Sequence, residues 1–247
     1  MKRIKWQILL GLFLVVLAAM IYLLHYAIFH DPHHIFIYLL GDIAFLPIQV
    51  LLVTLIIDEL LSKREKSSVL KKLNMVIGAF FSEVGMKLLK SFANFDQDSE
   101  RIRQELIVKD DWSEKKFLDV TKKLKHYECK IDSKRGDLAE LKQLLISKRN
   151  FLLRLLENPN LLEHETFTEL LRAVFHLTEE LENRHDVKNL SRADYDHLGN
   201  DIRRAHRLLL AEWVDYMRYL KLNYPYLFSL AMRINPFDPN ATVEIKE

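Results

Sequence analysis

A single carboxylate, Asp42, stands inside an otherwise uncharged apolar run, His34 to Ile57, in the setting Leu40-Gly41-Asp42-Ile43. Placing a charge in the middle of a bilayer costs roughly 2.5–3.5 kcal/mol on insertion scales, so an intramembrane carboxylate implies a role. Two roles are open. Asp42 handles an ion, a proton or a ligand, or it accepts a hydrogen bond that fixes helix packing. Tyr22, at matching depth in the preceding apolar run, is the candidate donor, and Tyr22 with Asp42 is the candidate intramembrane polar pair. Pro47, five residues on from Asp42, bends the helix and frees a backbone carbonyl, which suits either role.

Other residues with chemical potential are less organised. His25, His30, His33 and His34 gather with Asp31 between the two apolar runs, where imidazoles can bind a metal or sense pH. Their spacing fits no tight metal template, and histidines are also ordinary residues at a membrane boundary. Glu182-x-x-His185 and Asp194-x-x-His197, with Glu83 as a further ligand, imitate parts of a bundle di-iron site. Such a site needs Glu-x-x-His on two separate helices and two more carboxylates, so no metal site and no cofactor is assigned. Arg203-Arg204 with His206-Arg207, and Lys122-Lys123 with Lys125, read as solvated helix faces. There is no P-loop, no dinucleotide-binding glycine signature, no G-x-S-x-G and no H-E-x-x-H. No catalytic residue is assigned, and the expectation is a protein that is not an enzyme.

The elements that position these residues follow from hydropathy. Trp6 to Phe29 is a run of 24 residues without Lys, Arg, Asp or Glu, and the second run, His34 to Ile57, is equally long. As helices each would exceed the roughly 30 Å hydrocarbon core of a bilayer. Residues 1–60 carry three basic and four acidic side chains, against 33 and 30 in the remainder. That segregation describes a membrane hairpin joined to a polar domain. The first run is too long for the apolar core of a signal peptide, so an uncleaved anchor is expected. Lys2, Arg3 and Lys5 precede the first run, Lys63, Arg64, Lys66, Lys71 and Lys72 follow the second, and the connection His30-Asp31-Pro32-His33 has no Lys or Arg. By the positive-inside rule both termini are cytoplasmic, in a multi-pass protein of the cell (inner) membrane. Trp6, Tyr22, Tyr26 and Tyr38 sit where interfacial aromatics belong. The net charge of +2 gives no footprint for nucleic acid, and the lone Cys129 excludes an internal disulfide.

Beyond the spans the apolar period is helical, near 3.5, and Gly and Pro number six each, too few for the turns of an all-β fold. The fold class is all-α: a two-helix transmembrane hairpin at 1–60, with spans at about 6–29 and 34–57; an amphipathic helix at 61–93 continuing the second span; a helical bundle at 94–234; and a non-helical tail at 235–247. Val69 to Phe92 presents a wide apolar face that something must cover. Helices are expected at about Ser113–Ile131 and Asp137–Glu157, joined by Ser133-Lys134-Arg135-Gly136 as a coiled-coil-like antiparallel αα-hairpin. Two more are expected at Glu163–Asn183 and after the N-cap Ser191, the last stopped or kinked at Tyr224-Pro225.

Two blocks, Leu73-Asn74-Met75-Val76-Ile77-Gly78-Ala79-Phe80-Phe81-Ser82-Glu83 and Tyr224-Pro225-Tyr226-Leu227-Phe228-Ser229-Leu230, resemble those of prokaryotic two-span membrane proteins of uncharacterised function with a helical cytoplasmic domain. The resemblance covers most of the chain and implies neither an activity nor any site residue. The expected function is a membrane-anchored helical interaction or signalling module, whose partners are the lipid bilayer and a second copy or another helical protein. The alternative is a subunit of an oligomeric channel or transporter-like assembly with Asp42 near the pathway, followed by a metal-dependent membrane enzyme.

Overall fold

The computed structural model describes residues 2–244; the side chains of residues 2–5 and 7 lie outside that description, as do the last three residues of the expected tail. Among the described residues the chain is all-α, with one isolated β-bridge, Asp96 to Ile131, and no strand. It divides between Arg64 and Glu65 into two units. The first holds α1 (Lys2–Phe29) and most of α2 (Pro32–Phe80). His30 turns the chain at a positive φ of 50°, and the Asp31 carboxylate then accepts the backbone N–H groups of His33 and His34 at 3.0 and 3.3 Å. With Pro32 in the first turn, where its missing N–H costs nothing, this is a well-made helix start. Both helices are long and apolar enough to cross a membrane. From Ile8 to Arg64 every residue is exposed except His25, Ile35 and Leu39, which are half-buried. The hairpin therefore covers almost none of its own apolar surface.

The second unit has its own core. After α2 come a π-helical turn (Phe81–Gly85), α3 (Met86–Phe95), α4 (Ser99–Glu105), α5 (Glu114–Lys125), α6 (Leu138–Leu156), a 3₁₀ turn (Pro159–Glu163), α7 (Glu165–Glu182), α8 (Arg192–Asn223) and α9 (Pro225–Arg233). Starts are set by caps that occupy otherwise unpaired backbone donors. Ser113 Oγ accepts from Lys116, the Asp137 carboxylate accepts from Ala139 and Glu140, and Ser191 Oγ accepts from Asp194. The central element is α8. Its 32 residues, about 48 Å by the helical rise, pack against α3, α5, α7 and α9 and bury residues on several faces, among them Leu198, Ile202, Leu209, Trp213 and Met217.

The apolar face at Val69 to Phe92 is covered by this unit: Leu73, Ile77, Phe80, Phe81, Val84, Leu88, Leu89 and Phe92 are all buried. The expected single helix to residue 93 is interrupted at Phe81–Gly85, and packing gives the reason. Consecutive residues of an α-helix point about 100° apart, yet Phe80 and Phe81 both enter the core. Widening to a π turn accommodates both. Phe80 meets Phe167 edge-on at 5.5 Å, while Phe81 stacks on Tyr216 at 5.0 Å and abuts Trp213 at 5.3 Å.

A second expectation is corrected. The αα-hairpin of residues 113–157 is not the pair that forms. The helix after Ser113 packs on α8, and α6 pairs with α7 instead. The reason lies at residues 126–132, where the expected helix stops at Lys125. Asp132 N–H donates to the Phe95 carbonyl at 2.9 Å and Gln97 N–H to the Lys130 carbonyl at 3.0 Å, so this segment is drawn out against the end of α3. The described tail is held down. Asn235 and Phe237 are buried, Asn235 Nδ2 donates to the Leu106 carbonyl at 2.9 Å, and Arg103 Nε donates to the Phe237 carbonyl at 2.8 Å.

Candidate functional site

In the hairpin, Tyr22 lies on α1 and Asp42 on α2, both exposed, and among the described residues no hydrogen bond joins them. The four histidines of the turn do not meet at one point. His25 stacks on His34 with centroids 6.1 Å apart, and His30 tilts against Tyr26 at 6.2 Å. Of the imitation di-iron set, Glu83 pairs with Lys148 at 2.8 Å, Glu182 pairs with Arg149 at 2.9 Å, and His185 is exposed. His197 joins a cluster, with Asp194 at its edge, whose other members the sequence did not suggest.

That cluster lies between α7 and α8. His176 and Glu180 stand one turn apart on α7, and His197 and Asp201 stand one turn apart on α8. His176 Nε2 is 3.8 Å from Glu180 Oε1 and 3.6 Å from Asp201 Oδ2; His197 Nε2 is 3.5 Å from Glu180 Oε2 and 3.4 Å from Asp201 Oδ2. Arg184 Nη1 donates to Glu180 Oε2 at 2.6 Å and its Nη2 to Asp194 at 3.2 Å. The Arg184 hydrogen bond holds the Glu180 carboxyl below its ordinary range. Asp201 is buried, its side chain only 6% exposed, and its Oδ2 has no hydrogen-bond donor among the described residues.

A second polar centre surrounds Asp96, which is fully buried at the end of α3. Its Oδ2 accepts the Tyr127 hydroxyl at 2.9 Å, and its Oδ1 accepts the N–H groups of Asp98 and Lys130 at 3.1 and 3.2 Å. His206 Nδ1 stands 4.0 Å away, and Cys129 completes the group. Burial pushes the Cys129 thiol up to about 12 and raises the Tyr127 hydroxyl, so both keep their protons. Burial also holds the His206 imidazole well below its usual range, hence neutral. His206 thus departs from the solvated face expected for its stretch: it is core, packed on Phe92 at 5.9 Å, while Arg203, Arg204 and Arg207 beside it are exposed. These three arginines line an open cleft of about 710 Å³ with Lys130 and Asn200. Arg203 is aimed by its Nε, which donates to the Cys129 carbonyl at 3.1 Å. The cleft, which Tyr127, Glu128 and Cys129 also line, offers cationic donors to an acidic group.

The third centre joins α7 to α8 nearer the middle of the unit. Glu212 is 3% exposed and accepts the Thr166 hydroxyl at 3.1 Å, with His164 Nε2 at 3.7 Å. His164 Nδ1 accepts the Phe167 N–H at 3.3 Å and so begins α7. Burial raises the Glu212 carboxyl to about 8 and lowers the His164 imidazole, leaving two neutral groups in contact with a core.

An apolar helical hairpin followed by a helical bundle with its own core defines the class of protein. The chain belongs to the MJ1433 family. Residues 2–61 match its N-terminal helical domain and residues 69–233 match the C-terminal helical domain of Uncharacterized protein MJ1433. It is 47% identical over 243 residues to Uncharacterized protein MJ1433 of Methanocaldococcus jannaschii, an alignment that covers 98% of this chain and 97% of that one. No solved structure matches it.

Proposed function

We propose that the chain is a membrane-anchored helical interaction module. In this reading α1 and α2 as far as about Ile57 cross the bilayer, both ends of the chain face the cytoplasm, and the helical unit meets a partner there. It is a binding protein and not a catalyst. The observation that supports it is the exposure of the hairpin: the two apolar windows are not buried anywhere in the chain. A soluble protein whose core used helices of this composition would bury them, and a contiguous exposed apolar surface of this length is otherwise an aggregation hazard. Lipid, or a second hairpin within lipid, removes that hazard and leaves every backbone group satisfied within its helix. The flanking Lys and Arg supply the orientation. For the partner side, the cleft of Arg203, Arg204 and Arg207 favours acidic groups.

Alkaline carbonate washing of membranes tests the anchor, and the chain is expected to stay in the pellet. Reporter fusions at residue 32 and at the C-terminus test the orientation, with an external reporter expected to be active only at residue 32. Release of the chain into the wash, or an active external reporter at the C-terminus, overturns the reading.

A further inference from the structure

We propose that His176, Glu180, His197 and Asp201 form a site for one divalent transition-metal ion of the zinc class, bridging α7 and α8. The inference stands on the helical unit alone and does not depend on the membrane reading.

The distances carry it. An N–H donor that hydrogen-bonds a carboxylate comes within about 2.7–3.2 Å. Here four nitrogen–oxygen separations between two imidazoles and two carboxylates all fall from 3.4 to 3.8 Å. Ligands at about 2.0–2.2 Å from a tetrahedral ion lie roughly 3.3–3.6 Å from each other, by the geometry of a tetrahedron on zinc bond lengths. One ligand atom each of His176, Glu180 and His197 lies within 4.8 Å of the others, and Asp201 Oδ2 stands at 3.4 and 3.6 Å from the two imidazoles, so the side chains gather about a point without closing on one another, His176 facing Glu180 Oε1 and His197 facing Oε2. A second observation is independent of those spacings. Asp201 Oδ2 faces this point, buried and with no donor, and an unpaired buried carboxylate oxygen is costly to leave so. A cation at the centre supplies what it lacks.

Charge and support agree. Glu180, Asp194 and Asp201 against Arg184 leave two negative charges beside two imidazoles, and a dication neutralises them. Arg184 holds Glu180 Oε2, which leaves Oε1 free to ligate, and a hydrogen bond of this kind orients a metal-binding carboxylate. The imidazole edges are open to solvent, with the His176 and His197 side chains 45% and 50% exposed, so an ion can enter. Two nitrogen and two oxygen ligands suit zinc and its neighbours better than calcium or magnesium, which prefer oxygen alone. The spacing i, i+4 on each helix means that bound metal staples the two helices that flank the 183–191 connection. The group Asp96, Cys129 and His206 differs in kind: both Asp96 oxygens already accept donors and the thiol is protonated.

The full-length chain, purified in detergent and stripped with chelator, is dialysed against zinc and against cobalt, with bound metal counted by mass spectrometry. Wild type is expected to hold one equivalent more than the His176→Gln/His197→Gln double variant. Its cobalt form should show the strong visible bands of tetrahedral coordination, and zinc should raise its melting temperature but not that of the double variant. Asp201→Asn, which keeps the shape of the side chain and removes its charge, should weaken zinc binding at least tenfold. Glu182→Gln, His185→Gln and Cys129→Ala should leave the stoichiometry unchanged. Equal uptake by wild type and the double variant, whether zero or through histidines elsewhere, overturns the site. So does zinc affinity unaltered in Asp201→Asn, should the double variant fail to fold.

Discussion

At the scale of single residues, the buried carboxyls divide by what surrounds them. Asp96 is met by three donors, whereas Glu212 has one hydroxyl and is driven toward its protonated form. The linkage sign follows. A carboxyl whose folded value, about 8, lies above its unfolded one makes the folded state bind more protons in between, so its contribution to stability is present at low pH and falls as pH rises toward 8. Glu212→Gln should remove that dependence. Measured as the difference in unfolding free energy between variant and wild type, it should grow in favour of the variant between pH 5 and pH 8, at up to about 1.4 kcal/mol per pH unit. A difference flat across that range would show that Glu212 is ionised in the fold. Asp42 poses the opposite question, since it is exposed on α2 and the proposed membrane would surround it with lipid or another hairpin. Asp42→Asn should preserve the particle mass in detergent if the carboxylate serves as packing glue, and Asp42→Leu should lower it. Loss of an ion-dependent phenotype in an Asp42→Asn chain that assembles normally would favour the channel reading.

The informative element is the π turn. It exists because Phe80 and Phe81 are both core, and Gly85 exists because of them: a Cβ there would lie 2.6 Å from Phe81 Cδ1 and 3.0 Å from Phe80 Cε1. Those rings are pinned by Phe167, Tyr216 and Trp213 and have little room to yield. Gly85→Ala gains up to about 1 kcal/mol of helix propensity but overpacks the core, at roughly 1–3 kcal/mol. The expected outcome is a lower midpoint in chemical unfolding, and an unchanged or higher midpoint would mean that the turn relaxes without strain. At the same level, Ile77→Asp with Phe80→Asp should unfold the domain, because the face they occupy is interior to their own chain. A folded double variant with reduced particle mass would instead place that face between copies.

For the whole molecule, the division at Arg64/Glu65 predicts independent folding. A chain beginning at residue 65 should be soluble, strongly helical by circular dichroism and cooperative in unfolding, since its core lies entirely within it. Aggregation of that piece, in conditions where the full chain behaves well in detergent, would show that the second unit depends on the hairpin to fold.

The amino-acid sequence by itself determined the two apolar helices, their tight turn at Asp31-Pro32, the helix starts at Ser113, Asp137 and Ser191, and the all-α class. Each rests on signals local to a few turns: uninterrupted apolar length, a capping side chain, a period near 3.5. The tertiary structure alone decided the rest. Which helix meets which depends on cores that recur far apart along the chain, so that the helix after Ser113 lies against α8 and not against its neighbour. The π turn was not legible, because adjacent Phe residues in a helical pattern do not reveal that both face inward. Burial of Asp96, His206 and Glu212 was hidden for a similar reason: a polar residue reads as solvated until its donors are found. The α7–α8 cluster was half legible. His197 stood out by its spacing to Asp194, but its partners are His176 and Glu180, some twenty residues earlier on a facing helix, and only folding brings ligands from two helices to one point.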